Sequence, residues 1–394
     1  MKKISIILGL LLMAGLAMAA DFQPWVGVRG SYQAVFHTDL LDSAAAFEVD
    51  RARIGVEGEW IKDIYFQVEA DAKNTKKGKG TELKVAFIRW SFLDMDTFKG
   101  AVEFGALTTT FARGLSGTEY AFINYDITTV PESYQYGVQV KGNLMNNFVE
   151  VIASVSDGEG LSTINTAKGL LYVGRVEITP LGSEMKDLRE GNTGKTLASG
   201  APMLSIGLAA ALDNKAKTDD LGYTSETYNS SHLLADVTFK MLGFSIFGQF
   251  VMNSYDALSD GTYWGGVNKN VKESSGGFVQ VGYNLKDVVG FELEPMVKFE
   301  MWNDVLNEGY GDVDTKKQDF AVGFNWYAHG HDFKMNVEYR HMLKDENFYF
   351  GKPPAEDYFG FRVTHKFGAK LSLASKTESK PASTVNTVDK PVEE

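Results

Sequence analysis

Basic side chains recur at alternate positions in several segments of the sequence. Arg51 and Arg53 show this spacing first, interleaved with the apolar Ala52 and Ile54. Successive side chains of an extended strand point to opposite faces, so arginines spaced in this way would share one surface. Guanidinium and ammonium groups on a common surface can bind anions through charge-assisted hydrogen bonds. The candidate anion-binding residues are Arg51, Arg53, Arg89, Arg113, Lys141, Arg175, Arg340 and Arg362.

Carboxylates occupy the same alternating positions, for example Glu57, Glu69 and Asp71. Opposite charges that face each other on neighbouring strands stabilise a sheet. Two interpretations of the basic residues therefore stay open. They form either a ladder that passes an anion along, or cross-strand salt bridges that stiffen the wall.

Sequence motifs for catalysis are missing. There is no Gly-x-Ser-x-Gly elbow, and the six histidines cannot be combined by spacing with a serine and an acid. His329 and His331 form a His-x-His pair in an expected turn, which supplies too few ligands for a metal site. The absence of cysteine removes thiolate chemistry. We expect no enzyme activity, no metal site and no cofactor.

Alternation of apolar and polar residues with period two is the main structural signal. Residues 52–60 alternate, and a short turn at residues 61–63 leads into a second alternating segment, which predicts a hairpin. The predicted fold class is all-β, a transmembrane antiparallel β-barrel of about 16 strands. The predicted strands begin near Trp25, Glu48, Asp63, Thr81, Phe98, Tyr134, Asn147, Lys168, Pro202, Ser231, Gly243, Ser274, Gly290, Gln318, Asp332 and Asp357.

Loop lengths follow a rhythm that favours a membrane barrel over a secreted β-sandwich. Short turns near residues 62, 94–97, 145, 242, 287 and 329 alternate with long segments such as 108–133 and 255–273. Outer-membrane barrels have short periplasmic turns and long external loops. Residues 180–201 break the rhythm, being long on the expected periplasmic side. Aromatic residues expected to form the interfacial girdles are Trp25, Trp60, Trp90, Trp302, Trp326 and Tyr327.

The two ends of the chain differ from the alternating region. Residues 1–19 combine two lysines, an apolar run and a small-residue cleavage pattern, which is typical of a secretory signal peptide. Residues 20–367 should form the barrel. Residues 368–394 are polar and are expected to be a disordered periplasmic tail. The net charge of −12 excludes nucleic acid as an expected partner. These features predict a protein of the outer membrane of a Gram-negative bacterium, surrounded by its lipid.

Residues 47–58, Phe-Glu-Val-Asp-Arg-Ala-Arg-Ile-Gly-Val-Glu-Gly, are followed by Lys-Asp-Ile-Tyr-Phe-Gln-Val-Glu-Ala-Asp at 62–71. This stretch resembles the phosphate-selective porin O and P family, and residues 82–90 are similar to its next strand. The resemblance implies a sixteen-stranded homotrimeric porin. In some members of the family, arginines and lysines lining the pore select phosphate or pyrophosphate. Arg113 is the one strongly basic residue between Thr108 and Ser133, where the family has a basic cluster.

A barrel of this strand number is too wide to be filled by its own side chains, so it should enclose water. The expected function is passive diffusion of small hydrophilic solutes and ions, with anions such as phosphate or pyrophosphate among them. Residues 108–133 either fold inward as a constriction or cover the mouth. A non-selective or cation-preferring general porin and a non-conducting barrel that binds a ligand at its surface are the alternatives.

Overall fold

The computed structural model describes residues 24–39, 45–75, 78–108, 110–112, 134–157, 169–181, 201–217, 227–255, 263–264, 267–268, 270–308, 311–330, 332–345 and 357–372. The expected signal peptide, the chain after residue 372 and Arg113 lie outside these ranges. Within the described ranges, none of the helical structure is long and apolar enough to span a membrane.

Strands make up nearly all of the described chain. They are β1 (Trp25–Asp39), β2 (Ala45–Ile61), β3 (Ile64–Thr75), β4 (Gly78–Met95), β5 (Phe98–Thr108), β6 (Tyr134–Leu144), β7 (Val149–Ser156), β8 (Leu171–Ile178), β9 (Met203–Lys217), β10 (Thr227–Met241), β11 (Phe244–Tyr255), β12 (Tyr263–Trp264), β13 (Val267–Asn268), β14 (Asn270–Tyr283), β15 (Leu293–Glu308), β16 (Gly311–Tyr327), β17 (Phe333–Asp345) and β18 (Tyr358–Ser372). A single short helix among the described residues, α1 (Lys286–Val289), lies between β14 and β15.

Sixteen of these strands close into one antiparallel barrel, and β12 and β13 form a separate hairpin. The barrel closes where β1 pairs with β18, Trp25 standing opposite Ser372. The predicted fold class is therefore confirmed. Strands β5 and β6 begin at the predicted residues, Phe98 and Tyr134. Strand β16 begins earlier than predicted because its polar first residues, which show no apolar alternation, still pair with β15.

The turns near residues 62, 96, 145, 242, 287 and 329 lie at one end of the barrel, which the pattern of loop lengths identifies as periplasmic. Several need left-handed backbone, with φ of 67° at Asp63 and 49° at Leu242. The Asp63 amide also donates a hydrogen bond of 3.0 Å to a carboxylate oxygen of Glu59. Strands β8 and β9 pair directly, so the long connection between them does not change the strand count.

Burial across the wall is inverted relative to a soluble protein. The outward apolar residues Ile54 and Leu208 are 61% and 60% exposed, whereas the inward Glu177 is 1% exposed. An apolar outer face and a polar interior are what a barrel in lipid requires. The alternation read from the sequence therefore separates a lipid face from a lumen face.

The expected aromatic girdle needs correction. Trp90 is exposed on the lipid face, where it contacts Phe92 edge-on. Trp25 instead points inward and contacts Tyr65, and Tyr327 is buried in the lumen. Trp302 also lies inside, packed against an internal apolar cluster. Whether each side chain faces lipid or lumen depends on the parity of the residue within its strand, and not on its closeness to the strand end.

Candidate solute path through the barrel

A row of three strands brings Arg29 on β1 into contact with two carboxylates. Its Nη1 lies 3.2 Å from Glu57 Oε2 on β2, and its Nη2 lies 2.8 Å from Glu69 Oε2 on β3. Gly55 stands between Arg29 and Glu69 in the register. Because Gly55 has no side chain, the guanidinium can reach across β2 to the next strand.

Arg53 lies two residues before Gly55 on β2 and continues the network. Its Nε donates to Asp71 Oδ2 at 2.9 Å, and its Nη1 lies 3.4 Å from Glu69 Oε1. Its Nη2 donates to the hydroxyl of Tyr134 at 3.0 Å, at the start of β6. Carboxylates on β3 and a phenol on β6 thereby hold this arginine on the inner wall.

Arg89 on β4 and Lys141 on β6 share the carboxylate of Glu103 on β5. Arg89 Nε donates to Glu103 Oε1 at 2.6 Å, and Lys141 Nζ lies 3.0 Å from Oε2. Gln139 donates a further bond to Oε2 at 2.9 Å. The Arg89 and Lys141 side chains are 35% and 29% exposed, against 3% for Glu103. The cations therefore face the lumen and the carboxylate lies behind them.

Tyr65 joins these groups into one network. Its hydroxyl donates to Glu57 Oε2 at 2.7 Å, and the Arg89 guanidinium carbon lies 5.2 Å from its ring centroid. We name this network the open cluster, because its basic side chains keep contact with solvent. Its charged members are Arg29, Arg53, Arg89, Lys141, Glu57, Glu69, Asp71 and Glu103.

A second network on β8–β10 is cut off from solvent. Arg175 donates to both carboxylate oxygens of Asp236, at 2.7 and 2.9 Å, and to Glu177 at 3.1 Å. Ser205 donates to the other oxygen of Glu177 at 2.9 Å. The side chains of Arg175 and Asp236 are 1% and 0% exposed. We name Arg175, Glu177, Ser205 and Asp236 the closed cluster.

Gly207 on β9 makes the closed cluster possible. It pairs with Glu177 on one side and with Asp236 on the other. A Cβ placed on Gly207 would collide with the Arg175 guanidinium and with the Asp236 carboxylate. The ion pair therefore crosses β9 directly over this glycine.

Directly after β5, the described residues Thr110 to Ala112 lie against the inner wall of the barrel. Thr108, the last residue of β5, pairs with Tyr134, yet Thr110 approaches Gln139, whose strand partner Glu103 lies deeper in the wall. Arg175 Nη1 donates to the carbonyl oxygen of Phe111 at 3.2 Å. The closed cluster therefore anchors the start of the long segment 108–133, whose residues 113–133 lie outside the described part.

Phe111 is fully buried in an apolar patch on the inner wall. It packs with residues of β8, β9, β10, β11 and β14, and its ring meets His232 edge-on at 6.2 Å. His232 is held by Asn253 at 2.7 Å and Ser230 at 2.8 Å. The members of the patch are Phe111, Ala112, Leu171, Val173, Ala209, Ala211, Leu234, Val251 and Phe278.

Charged residues of β15–β17 form buried pairs of their own. Lys298 Nζ lies 2.5 Å from Glu300 Oε2, and Arg340 Nη2 lies 2.6 Å from Asp319 Oδ2. Arg362 is buried on β18 opposite Asn336. This part of the wall, like the closed cluster, offers little charge to solvent.

The structure thus separates the eight candidate residues. Arg53, Arg89 and Lys141 meet in the open cluster, whereas Arg175, Arg340 and Arg362 are buried in other parts of the wall. Arg51 lies in β2 opposite Gln33, and Arg113 lies outside the described residues. The wall contains cross-strand salt bridges in both regions, since carboxylates on other strands pair with Arg53, Arg89, Lys141, Arg175 and Arg340.

Sequence reasoning missed two residues that organise the lumen, Arg29 and Phe111. The alternation of β1 placed Arg29 on the polar register, and this could have identified it. Phe111 carried no local signal, since its partners lie on five other strands. Among the described residues, no group of three His, Cys, Asp or Glu side chains is arranged to hold a metal ion.

A closed sixteen-stranded barrel with a lipid-facing apolar wall and a charged interior defines the class of outer-membrane porins. The chain belongs to the phosphate-selective porin O and P family, which matches residues 22–348. It is therefore a porin of the outer membrane. A comparison with curated protein sequences gave no significant match.

Several solved structures share the fold at low sequence identity. OmpT of Vibrio cholerae with its loop L8 deleted is 12% identical, with a TM-score of 0.58 over 87% of this chain and 99% of that chain. OmpF of Salmonella typhi in complex with daunomycin is 14% identical, with a TM-score of 0.55 over 87% and 97%. OprB of Pseudomonas putida is 10% identical, with a TM-score of 0.53 over 91% and 96%.

Proposed function

We propose that this porin is a water-filled channel for passive diffusion of small hydrophilic solutes and ions, and that it prefers anions, phosphate and pyrophosphate among them. The observation that supports this most strongly is the exposure of Arg89 and Lys141 above the buried carboxylate of Glu103. A solute in the lumen meets the positive groups first. Rings of basic side chains favour anions in other pores.

Arg29 repeats this arrangement on the neighbouring strands. Its side chain is 38% exposed, whereas that of its partner Glu69 is 9% exposed. Glu57 remains 25% exposed beside Arg29, and Glu150 adds a further carboxylate near Lys141. We therefore infer a modest preference for anions, because part of the positive charge is neutralised locally.

The route of the solute follows from the contrast between the two walls. The closed cluster and the Phe111 patch fill the lumen side of β8–β11. The open cluster leaves solvated side chains on β1–β6. We infer that solutes pass along the open cluster.

Single-channel recording in planar bilayers tests the proposal. A salt gradient gives the sign of the reversal potential, and added phosphate shows whether the current is blocked. Wild type should be anion-selective and partly blocked by phosphate. Arg89→Gln and Lys141→Gln should each shift the reversal potential toward zero and weaken the block. Lys286→Gln is the matched control, because it removes a carboxylate-paired cation from a periplasmic turn.

The other outcomes identify the alternatives. A cation-selective or neutral potential without phosphate block would replace the proposal with a general porin of another preference. A folded barrel that never conducts would favour a surface-binding role.

We also propose a homotrimer, on the family resemblance. Chemical crosslinking of the barrel in native membranes should give a ladder that ends at three chains. A ladder that stops at one chain would contradict this assembly.

A further inference from the structure

Three aromatic side chains line the lumen beside the open cluster. Trp25 on β1 lies 6.2 Å from Tyr65 on β3, and Tyr65 lies 6.0 Å from Phe87 on β4, between ring centroids. All three are partly exposed, unlike Phe111 and Phe278 in the apolar patch, which are buried. We name these three residues the aromatic wall. Its rings are accessible to a solute, whereas the rings of the patch are not.

The turn between β2 and β3 helps to form this wall. In the register, Glu59 stands between Trp25 and Tyr65. The Glu59 carboxylate points toward the turn, where it accepts a hydrogen bond from the Asp63 amide. The two rings can therefore approach each other across β2.

Cations and one partly exposed carboxylate surround the aromatic wall. Lys370 Nζ lies 3.8 Å from the Trp25 ring centroid, and the Arg89 guanidinium carbon lies 5.5 Å from the Phe87 ring centroid. Glu57, which accepts a hydrogen bond from the Tyr65 hydroxyl, is partly exposed. Apolar ring faces, a hydrogen-bond acceptor and a solvated guanidinium thus meet on one short stretch of wall.

We propose that the aromatic wall and the open cluster together bind a sugar phosphate in transit. The apolar face of the sugar ring packs on Tyr65 and Phe87. Glu57 accepts hydrogen bonds from the sugar hydroxyls, and Arg89 binds the phosphate through paired N–H donors. Binding sites that combine apolar ring contacts with a few placed polar groups are typical for small solutes.

This inference rests on the proposed function and deepens it, because it names the solute class that the anion-preferring path holds best. Inorganic phosphate can use Arg89 but gains nothing from the rings. A neutral hexose can use the rings but not the guanidinium. A sugar phosphate uses both, so it should bind more tightly than either.

The test compares glucose 6-phosphate, glucose and inorganic phosphate on the refolded barrel. Affinities come from current fluctuations in bilayers and from calorimetry in detergent, so that a barrel that does not conduct still gives a result. In wild type, glucose 6-phosphate should bind most tightly. In Phe87→Leu, its affinity should fall roughly three- to tenfold, the loss expected for one aromatic contact, while phosphate affinity is unchanged.

Phe104→Leu is the matched control, since Phe104 faces lipid opposite Ile88, the residue next to Phe87. It should leave all three affinities unchanged. Trp25→Leu is a second test if Phe87→Leu fails to fold. It should also lower the affinity for glucose 6-phosphate.

Equal affinities for glucose 6-phosphate and inorganic phosphate in wild type would overturn the inference while leaving the proposed anion preference intact. An unchanged affinity for glucose 6-phosphate in both Phe87→Leu and Trp25→Leu would also overturn it. Failure of the proposed function looks different, because neither phosphate compound would then bind more tightly than glucose.

Discussion

The open and closed clusters use the same chemistry in two environments. In each, an arginine bridges to a carboxylate two strands away, and a glycine on the strand between lets it pass. Gly55 serves Arg29 and Glu69, and Gly207 serves the Arg175 pair. The arginine side chain is 38% exposed in the first case and 1% in the second.

Burial decides whether such an ion pair contributes mainly to stability or to solute binding. An exposed ion pair contributes little to stability because water screens it, so its charge remains available to solutes. A buried pair becomes costly to break, since a charge left alone in the interior is strongly unfavourable. The open cluster is therefore suited to binding, and the closed cluster to holding the inward segment.

The largest difference should appear when each arginine is replaced by methionine. Arg175→Met removes two charged hydrogen bonds from the buried carboxylate of Asp236, and we expect a loss of about 3–5 kcal/mol in the free energy of unfolding. Arg29→Met should cost about 1 kcal/mol or less, because its side chain is partly exposed and Glu69 keeps its contact with Arg53. Urea unfolding of the refolded barrel, followed by tryptophan fluorescence, gives both values. Similar losses in the two variants would remove the distinction between the clusters.

Phe111→Ala tests whether the closed cluster and its apolar patch hold the start of the segment 108–133, and whether this segment narrows the lumen. Replacing the buried phenylalanine by alanine should lower the free energy of unfolding by about 3 kcal/mol. Single-channel conductance should rise, with larger current noise. Phe104→Ala on the lipid face is the control. Unchanged conductance in Phe111→Ala would show that the segment is positioned by other contacts.

Gly207→Ala and Gly174→Ala compare crowded and open glycines on adjacent strands. A Cβ at Gly207 collides with the Arg175 pair, and overpacking of this kind costs about 1–3 kcal/mol. A Cβ at Gly174 meets nothing within 4 Å, so the unfolding free energy should change by about 0.5 kcal/mol or less. Both variants are measured by urea unfolding. Equal changes in the unfolding free energy would mean that the Arg175–Asp236 ion pair accommodates the added Cβ without loss of stability.

The smallest effect should come from Asp357, which precedes β18 at the external rim. Burial opposes ionisation, but hydrogen bonds from Tyr339, His341 and the Met342 amide hold the pKa of the Asp357 carboxyl below its ordinary value. A lowered pKa stabilises the fold above the ordinary pKa of the carboxyl, and this stability is lost as the pH falls through the lowered value. The unfolding midpoint of wild type should therefore decrease slightly as the pH becomes acidic. The midpoint of Asp357→Asn should not show this decrease. Parallel pH profiles of the two proteins would contradict this.

Much of the wall was predictable because alternation with period two is a local property of the sequence. It identified sixteen strands and the polar register that carries Arg53, Arg89 and Lys141. It also set apart the lipid face, where residues such as Ile54 are exposed. The girdle prediction was wrong for Trp25, Trp302 and Tyr327, because closeness to a strand end was used where parity was decisive.

The sequence by itself determined the strand number, the fold class and the face on which each charge lies, since these depend on neighbours one or two residues away. The tertiary structure alone decided which charged side chains contact each other and which remain exposed to solvent. Arg175 and Asp236 are 61 residues apart, and Arg53 and Tyr134 are 81 apart. Their pairing depends on the strand register and on glycines that let side chains cross. These relations exist only once the barrel has closed.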